Sequence, residues 1–129
     1  MTDRELIERA VAAADNSYSP YSRFRVGAAL ECVSGAVYTG ANIENAAFGA
    51  TICAEQAAVA AACSAGVREF RRIAIFSEGT AYTFPCGTCR QVLAEFSPDM
   101  DVLSARGDGR YVSYSLASLL PAAFSKENL

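Results

Sequence analysis

Apolar positions along the chain alternate between a helical and a strand period, and the changes of period mark out the elements. Leu6, Ile7, Ala10, Val11 and Ala14 share one helical face, and Thr2 followed by Glu5 has the spacing of a capping box ahead of them. This first helix is expected to end near Asn16, because residues 17–22, with Pro20 among them, read as a loop. Val26 to Cys32 reads as a strand, Ser34-Gly35 as a turn, and Val37 to Gly40 as the returning strand of a hairpin. Residues 41–51 are irregular and polar in places. Cys53 to Ala65 is rich in alanine, the best helix former, with Gly66 where a C-terminal cap belongs.

Further on, Ile73-Ala74-Ile75-Phe76 within 72–77 is a short apolar run of the kind that forms a buried strand. Residues 79–85 read as a loop and Cys86 to Phe96 as a third helix. Val102 to Ala105 and Tyr111 to Tyr114 read as strands joined across Gly107-Asp108-Gly109, a connection so short that the pair must be antiparallel. Ser115 to Leu120 closes the series as a short helix before Pro121. The order α-β-β-α-β-α-β-β-α predicts the α/β class: a five-stranded mixed sheet with helices on both faces.

Composition narrows the function classes. A chain of 129 residues fits one domain, 1–129, and 52% hydrophobic residues suffice for a core that buries roughly two-thirds of the unfolded surface. Eleven Lys and Arg against fourteen Asp and Glu leave a net charge of -3, without the basic stripe of a nucleic-acid binder. The charged start, Met1 to Glu5, reads as a mature cytosolic terminus rather than a signal peptide. The longest clean apolar run, Ala57 to Cys63, falls far short of the roughly 20 residues of a membrane span. Five cysteines cannot all pair within one chain, and the expected cytosolic setting disfavours disulfides anyway. Histidine is absent, which removes every Ser-His or Cys-His nucleophile and every His-ligated metal site.

The cysteines therefore need another role. Cys86 and Cys89 stand three residues apart at the start of a predicted helix, where both sulfurs can converge and peptide N–H groups favour thiolates. Zinc ligation, a redox dithiol and two ordinary structural cysteines all fit that pair taken alone. Cys53 heads the other central helix and supplies a third thiol. Three thiolates leave zinc one ligand short of a closed tetrahedron, the arrangement of a catalytic site with room for water. Glu55 follows Cys53 by two residues, about 200° away on a regular helix, so it can face the cluster only if Cys53 occupies the helix lip. From there it can shuttle protons rather than ligate. A solvated carboxylate at a helix start is the plain alternative. Cys32 and Cys63 read as small core residues, unless one closes a four-cysteine structural site.

Cys53-Ala54-Glu55 and, about thirty residues on, Pro85-Cys86-Gly87-Thr88-Cys89-Arg90-Gln91 resemble the zinc site of the cytidine deaminases. Residues 24–30 (Phe-Arg-Val-Gly-Ala-Ala-Leu), 42–46 (Asn-Ile-Glu-Asn-Ala) and 119–124 (Leu-Leu-Pro-Ala-Ala-Phe) are similar to further segments of the short, homotetrameric, all-cysteine class of that family. The resemblance spans roughly residues 4–124. It implies the three-layer cytidine deaminase fold, one Zn²⁺ per subunit on Cys53, Cys86 and Cys89, and Glu55 as general acid and base. The implied reaction is hydrolysis of cytidine and 2′-deoxycytidine to uridine and 2′-deoxyuridine with release of ammonia, a step of pyrimidine salvage. By the same resemblance Asn42 and Glu44 hold the ribose, the Ala54 N–H meets the base carbonyl, Phe24 packs on the base and Phe124 completes a neighbouring subunit's pocket. A cytoplasmic homotetramer acting on a small nucleoside, without nucleic acid or membrane, is the expected setting. The readings that compete are a deaminase of another aminopyrimidine nucleoside, such as a cytosine-containing antibiotic, a CxxC disulfide oxidoreductase and a non-catalytic zinc-stabilised module.

Two positions depart from the family pattern. Gln56 stands where the class often has an arginine that bonds the ligand sulfurs, and Phe48 where it often has tyrosine. Three thiolates on Zn²⁺ carry a net charge of about -1, which opposes ionising a bound water, and a guanidinium would offset it. Gln56→Arg is therefore expected to move the acidic limb of the kcat–pH profile to lower pH. An unchanged limb would mean that position 56 does not tune the water.

Overall fold

A computed structural model describes residues 1–129. Helix α1 (Asp3–Ala14) starts where the Thr2 hydroxyl accepts the Glu5 peptide N–H at 3.1 Å, with Asp3 and Glu5 in the positive first turn. Strands β1 (Val26–Cys32) and β2 (Val37–Ala41) form the expected hairpin. Helix α2 (Ala54–Ser64) ends at Gly66, whose φ of +87° and bonds to the last turn make a glycine cap. Then follow β3 (Phe70–Ser77), α3 (Gly87–Phe96), β4 (Asp101–Ala105), β5 (Tyr111–Ser115) and the short α4 (Leu116–Leu119).

The element order and the mixed five-stranded sheet are those expected from the pattern. The strands run β2-β1-β3-β4-β5, antiparallel except for β3 and β4. That parallel pair exists because α3 crosses over between its strands. All seven residues of β1 are buried, since β1 has neighbours on both sides and helices on both faces. Its alternate side chains part into two cores. Val26, Ala28, Leu30 and Cys32 join Ile73, Ile75 and Val102 beneath Ala58 and Ala62 of α2 and Leu93 of α3. Ala29, Ala74 and Leu103 meet Leu6, Ile7 and Ala10 of α1 on the opposite face.

Small residues set how closely the helices approach. A Cβ on Gly27 would overlap the Ala10 carbonyl oxygen of α1, and one on Gly40 would lie 2.5 Å from both Ala54 O and Ala58 N of α2. At the sheet end where β3 begins, Glu31 is buried yet ionic: its Oε1 accepts from Arg72 Nε at 2.9 Å. The same guanidinium reaches Asp3 and the Met1 carbonyl, and Tyr111 donates to Asp3, so α1 is tied to three strands by one charge network.

The opposite end of the sheet gathers the loops that matter. Gly27 pairs with Ala41 and Val26 with Ser77, so the segments before β1, after β2 and after β3 leave the sheet side by side. Residues 41–51 are more ordered than their sequence suggests: Ile43 bridges both Tyr18 and Ile52, and Phe48–Ala50 forms a 3-10 turn.

Candidate metal centre and active site

Two helices aim their first turns at one point. Cys53 is the N-cap of α2 and Cys86 the N-cap of α3, each just outside its helix, and Cys89 is the third residue of α3. The three Sγ atoms lie within 4.8 Å of one another, with Cys86 and Cys89 3.5 Å apart. Both helix ends supply positive partial charge there. The Cys53 thiol is brought down to about 7, because the Cys89 thiol hydrogen-bonds to it against the effects of burial and of Glu55. Cys89 is pushed up by that same bond and by its burial. Cys32 is wholly buried in the core, and Cys63 packs against the same core, so neither joins the cluster and the four-cysteine reading loses its fourth ligand.

Glu55 sits in the first turn of α2 and is only 5% exposed, which disposes of the solvated-carboxylate reading. Burial pushes its carboxyl up, while its own peptide N–H and the Cys89 thiol hold it down less strongly. With Cys53 at the N-cap in extended conformation, Glu55 meets the Cys89 thiol from within the first turn. The two side chains share a target although they are two residues apart.

The loop that delivers Cys86 is anchored from below. The buried Ser77 and Ser104 hydroxyls at the ends of β3 and β4 engage Thr83, at 2.8 Å to its Oγ1 and 2.7 Å to its carbonyl. Arg90 Nε then donates to Pro85 O at 2.7 Å. Gln56 has a position that its sequence reading did not supply: its Oε1 accepts the Cys53 peptide N–H at 2.8 Å, closing a capping box around a metal-ligand candidate. A Gln three residues after an N-cap is a known signal. Cysteine is not among the usual N-caps, so the signal goes unread here. Gln56→Arg therefore exchanges a cap for a charge, and Gln56→Leu, which loses the cap alone, is its control for the pH profile.

The remaining candidates gather around residues 17–26. Asn42 Oδ1 accepts from Val26 N at 3.0 Å and from Ser17 Oγ at 2.5 Å, and its Nδ2 donates to Phe24 O at 2.8 Å. Glu44 Oε1 accepts the Tyr21 and Ser22 peptide N–H groups, both at 3.0 Å, and its other oxygen accepts from the Ser22 hydroxyl. Those bonds, Ser22 first, hold its carboxyl below the usual range. A groove lined by Tyr21, Ser22, Glu44, Asn45, Phe48 and Thr51 opens beside it. Phe24 is 40% exposed, Phe48 77% and Phe124 62%. The structure thus brings Cys53, Cys86, Cys89 and Glu55 into one cluster and Phe24, Asn42 and Glu44 into one loop system. Phe124 stands apart from both, in the C-terminal segment against α3.

The cytidine and deoxycytidylate deaminase zinc-binding region matches residues 1–104. A cytidine deaminase of Sporosarcina psychrophila is 44% identical over 130 residues, covering 100% of this chain and 96% of its own length. That of Halalkalibacterium halodurans is 44% identical over 129 residues, 98% of either chain. The crystal structure of a Burkholderia pseudomallei cytidine deaminase superposes with a TM-score of 0.93 at 44% identity, over 96% of this chain and 100% of that one. One from Mycobacterium tuberculosis gives 0.83 at 39% identity, over 96% and 98%.

Proposed function

The chain belongs to the cytidine and deoxycytidylate deaminase zinc-binding family, and we propose that it deaminates free cytidine and 2′-deoxycytidine through Glu55 and a zinc ion held by Cys53, Cys86 and Cys89. The products are uridine or 2′-deoxyuridine and ammonia. The observation that carries this reading is the meeting of three thiols and one buried carboxyl at two helix N-termini.

The donor set fits zinc. Three sulfurs within 4.8 Å, with Cys53 near 7 and two helix ends favouring thiolate, suit a soft divalent ion, and three protein ligands leave a position open. When bound, Zn²⁺ supplies the Lewis acidity that makes water a nucleophile near neutral pH. Glu55, buried and raised, is poised to take a proton, pass it to N3 of the base and deliver another to the departing amine. The Ala54 N–H, in the unpaired first turn of α2, is free for the base carbonyl. Phe24 offers an exposed ring for the base.

Hydrogen-bond capacity bears on the sugar. Asn42 has both acceptor positions of Oδ1 and one N–H in use, so it retains a single donor. Glu44 retains acceptor capacity on the oxygen that meets Ser22. One donor beside one acceptor satisfies a single hydroxyl, which suits ribose and 2′-deoxyribose alike. The carboxylate also disfavours a 5′-phosphate and so selects nucleoside over nucleotide.

Residues 1–129 act as one domain in this reading, and the assembly is a homotetramer whose pockets are completed by neighbouring subunits. The exposed Phe48 and Phe124 rings support such packing. No helix is long and apolar enough to cross a membrane, and reduced thiols and a nucleoside substrate suit the cytoplasm. The test is the loss of cytidine absorbance on adding purified protein of measured metal content. Turnover at about one zinc per chain is expected. Zinc-loaded protein that leaves cytidine unchanged would move the substrate to another aminopyrimidine.

A further inference from the structure

Residues 121–129 are joined to the rest of the chain by one hydrogen bond. Gln91 Nε2 donates to Phe124 O at 2.8 Å. The other hydrogen bonds of the segment stay within it, from Ser125 N to Asn128 Oδ1, Glu127 N to Ser125 Oγ, Asn128 N to Ser125 O and Leu129 N to Lys126 O. Neither Lys126 nor Glu127 forms an ion pair. The path of the segment is also not the one its backbone prefers, because Ala122 has a φ of +52°, in the left-handed region that favours glycine. Burial does not fix the Phe124 ring either, since Phe124 is 62% exposed.

Gln91 is well placed to impose that path. It follows Cys89 and Arg90 on α3, and Arg90 spans from Pro85 O at 2.7 Å to Leu119 O at 2.6 Å. Two adjacent side chains on the cysteine-bearing helix therefore hold both ends of the turn that leads to Phe124. Arg90 fixes the Leu119 carbonyl, two residues ahead of Pro121, and Gln91 fixes the Phe124 carbonyl, two residues beyond Ala122.

We propose that Gln91 is a positioning residue for the substrate pocket: its amide holds the C-terminal segment in the left-handed turn that presents the Phe124 ring to a nucleoside. The proposal rests on the reading of Phe124 given above. The group acts through another residue, so its loss weakens substrate binding and leaves the metal and Glu55 untouched.

The test is a double-mutant cycle on the assembled, zinc-loaded enzyme. Gln91→Met keeps length and loses the donor; it is expected to raise KM for cytidine about three- to tenfold, the scale of one neutral hydrogen bond. Its kcat and zinc content should stay within about twofold of wild type. Phe124→Ala should raise KM at least as much, and the double variant no further, because both changes remove one contact. A wild-type KM for Gln91→Met, or effects that multiply in the double variant, would overturn the proposal. An unchanged KM for Phe124→Ala would instead overturn the reading of Phe124 and this role with it. Should Gln91→Met fail to fold, Gln91→Glu, which keeps the length and offers no donor to the Phe124 carbonyl, carries the test. A raised KM with kcat and zinc content held supports the proposal, and a wild-type KM overturns it.

Discussion

Replacing Glu55 with Gln is expected to leave the fold and the zinc in place and to lower kcat by about 10² to 10⁴-fold, the usual worth of a positioned general acid and base. The substitution is nearly isosteric, and position 55 is only 5% exposed, so the amide has little freedom to settle elsewhere. The amide carries no charge to desolvate, so the melting temperature should stay near wild type. What the amide lacks is the ability to carry one proton from water to N3 and another to the departing amine. No other group can substitute: the chain has no histidine, and the cluster beside Glu55 consists of three thiols placed to hold a metal. Three measurements on one preparation check this: metal content, thermal unfolding and turnover. Near-wild-type turnover with full zinc would take the proton transfers away from Glu55.

The same residues show how far the sequence could be read. The thiol cluster was legible because its chemistry leaves local traces: Cys86 and Cys89 must be three apart to meet from one helical turn, and Cys53 stands at the head of another helix. The strands were legible from apolar runs, and the reading of β1 is matched residue for residue. What sequence could not supply was partnership at long range. Glu31 inside an apolar strand looks like a fault until Arg72 and Asp3, distant in the chain, arrive beside it. The resemblance alone names Asn42 and Glu44, and their capacity for a ligand depends on backbone groups of residues 21–26 that already occupy most of it. Helix boundaries moved for a related reason. The sequence pattern starts these helices at Cys53 and Cys86, whereas both are N-caps in extended conformation, the helix-lip position that Glu55 needs in order to share the target of Cys53.

Gly40 carries the other large expectation. Gly40→Ala should destabilise the protein by about 3 kcal/mol, the upper end for overpacking, and impair zinc retention as well. The added Cβ would lie 2.5 Å from Ala54 O and from Ala58 N, and 2.7 Å from the Ala57 Cβ. Ala54 O and Ala58 N are four residues apart in α2, the spacing of an intrahelical hydrogen bond, so the intruding methyl strikes backbone that cannot rotate aside. Relief requires β2 or the first turn of α2 to move. β2 is held by its full register with β1, from Gly27–Ala41 to Glu31–Val37, so the helix turn is the softer side. That turn carries Glu55 and begins at Cys53, and a shift there separates Cys53 from the two α3 thiols. The expected signature is therefore coupled: a melting temperature lower by about 10 °C and a weakened hold on zinc in chelator competition. Gly27→Ala is the control, because it crowds α1 on the opposite face of the sheet. It should lower stability while leaving the zinc affinity of the folded protein near wild type. Equal loss of zinc affinity from both variants would show that the metal responds to global stability, not to the seating of α2 on Gly40.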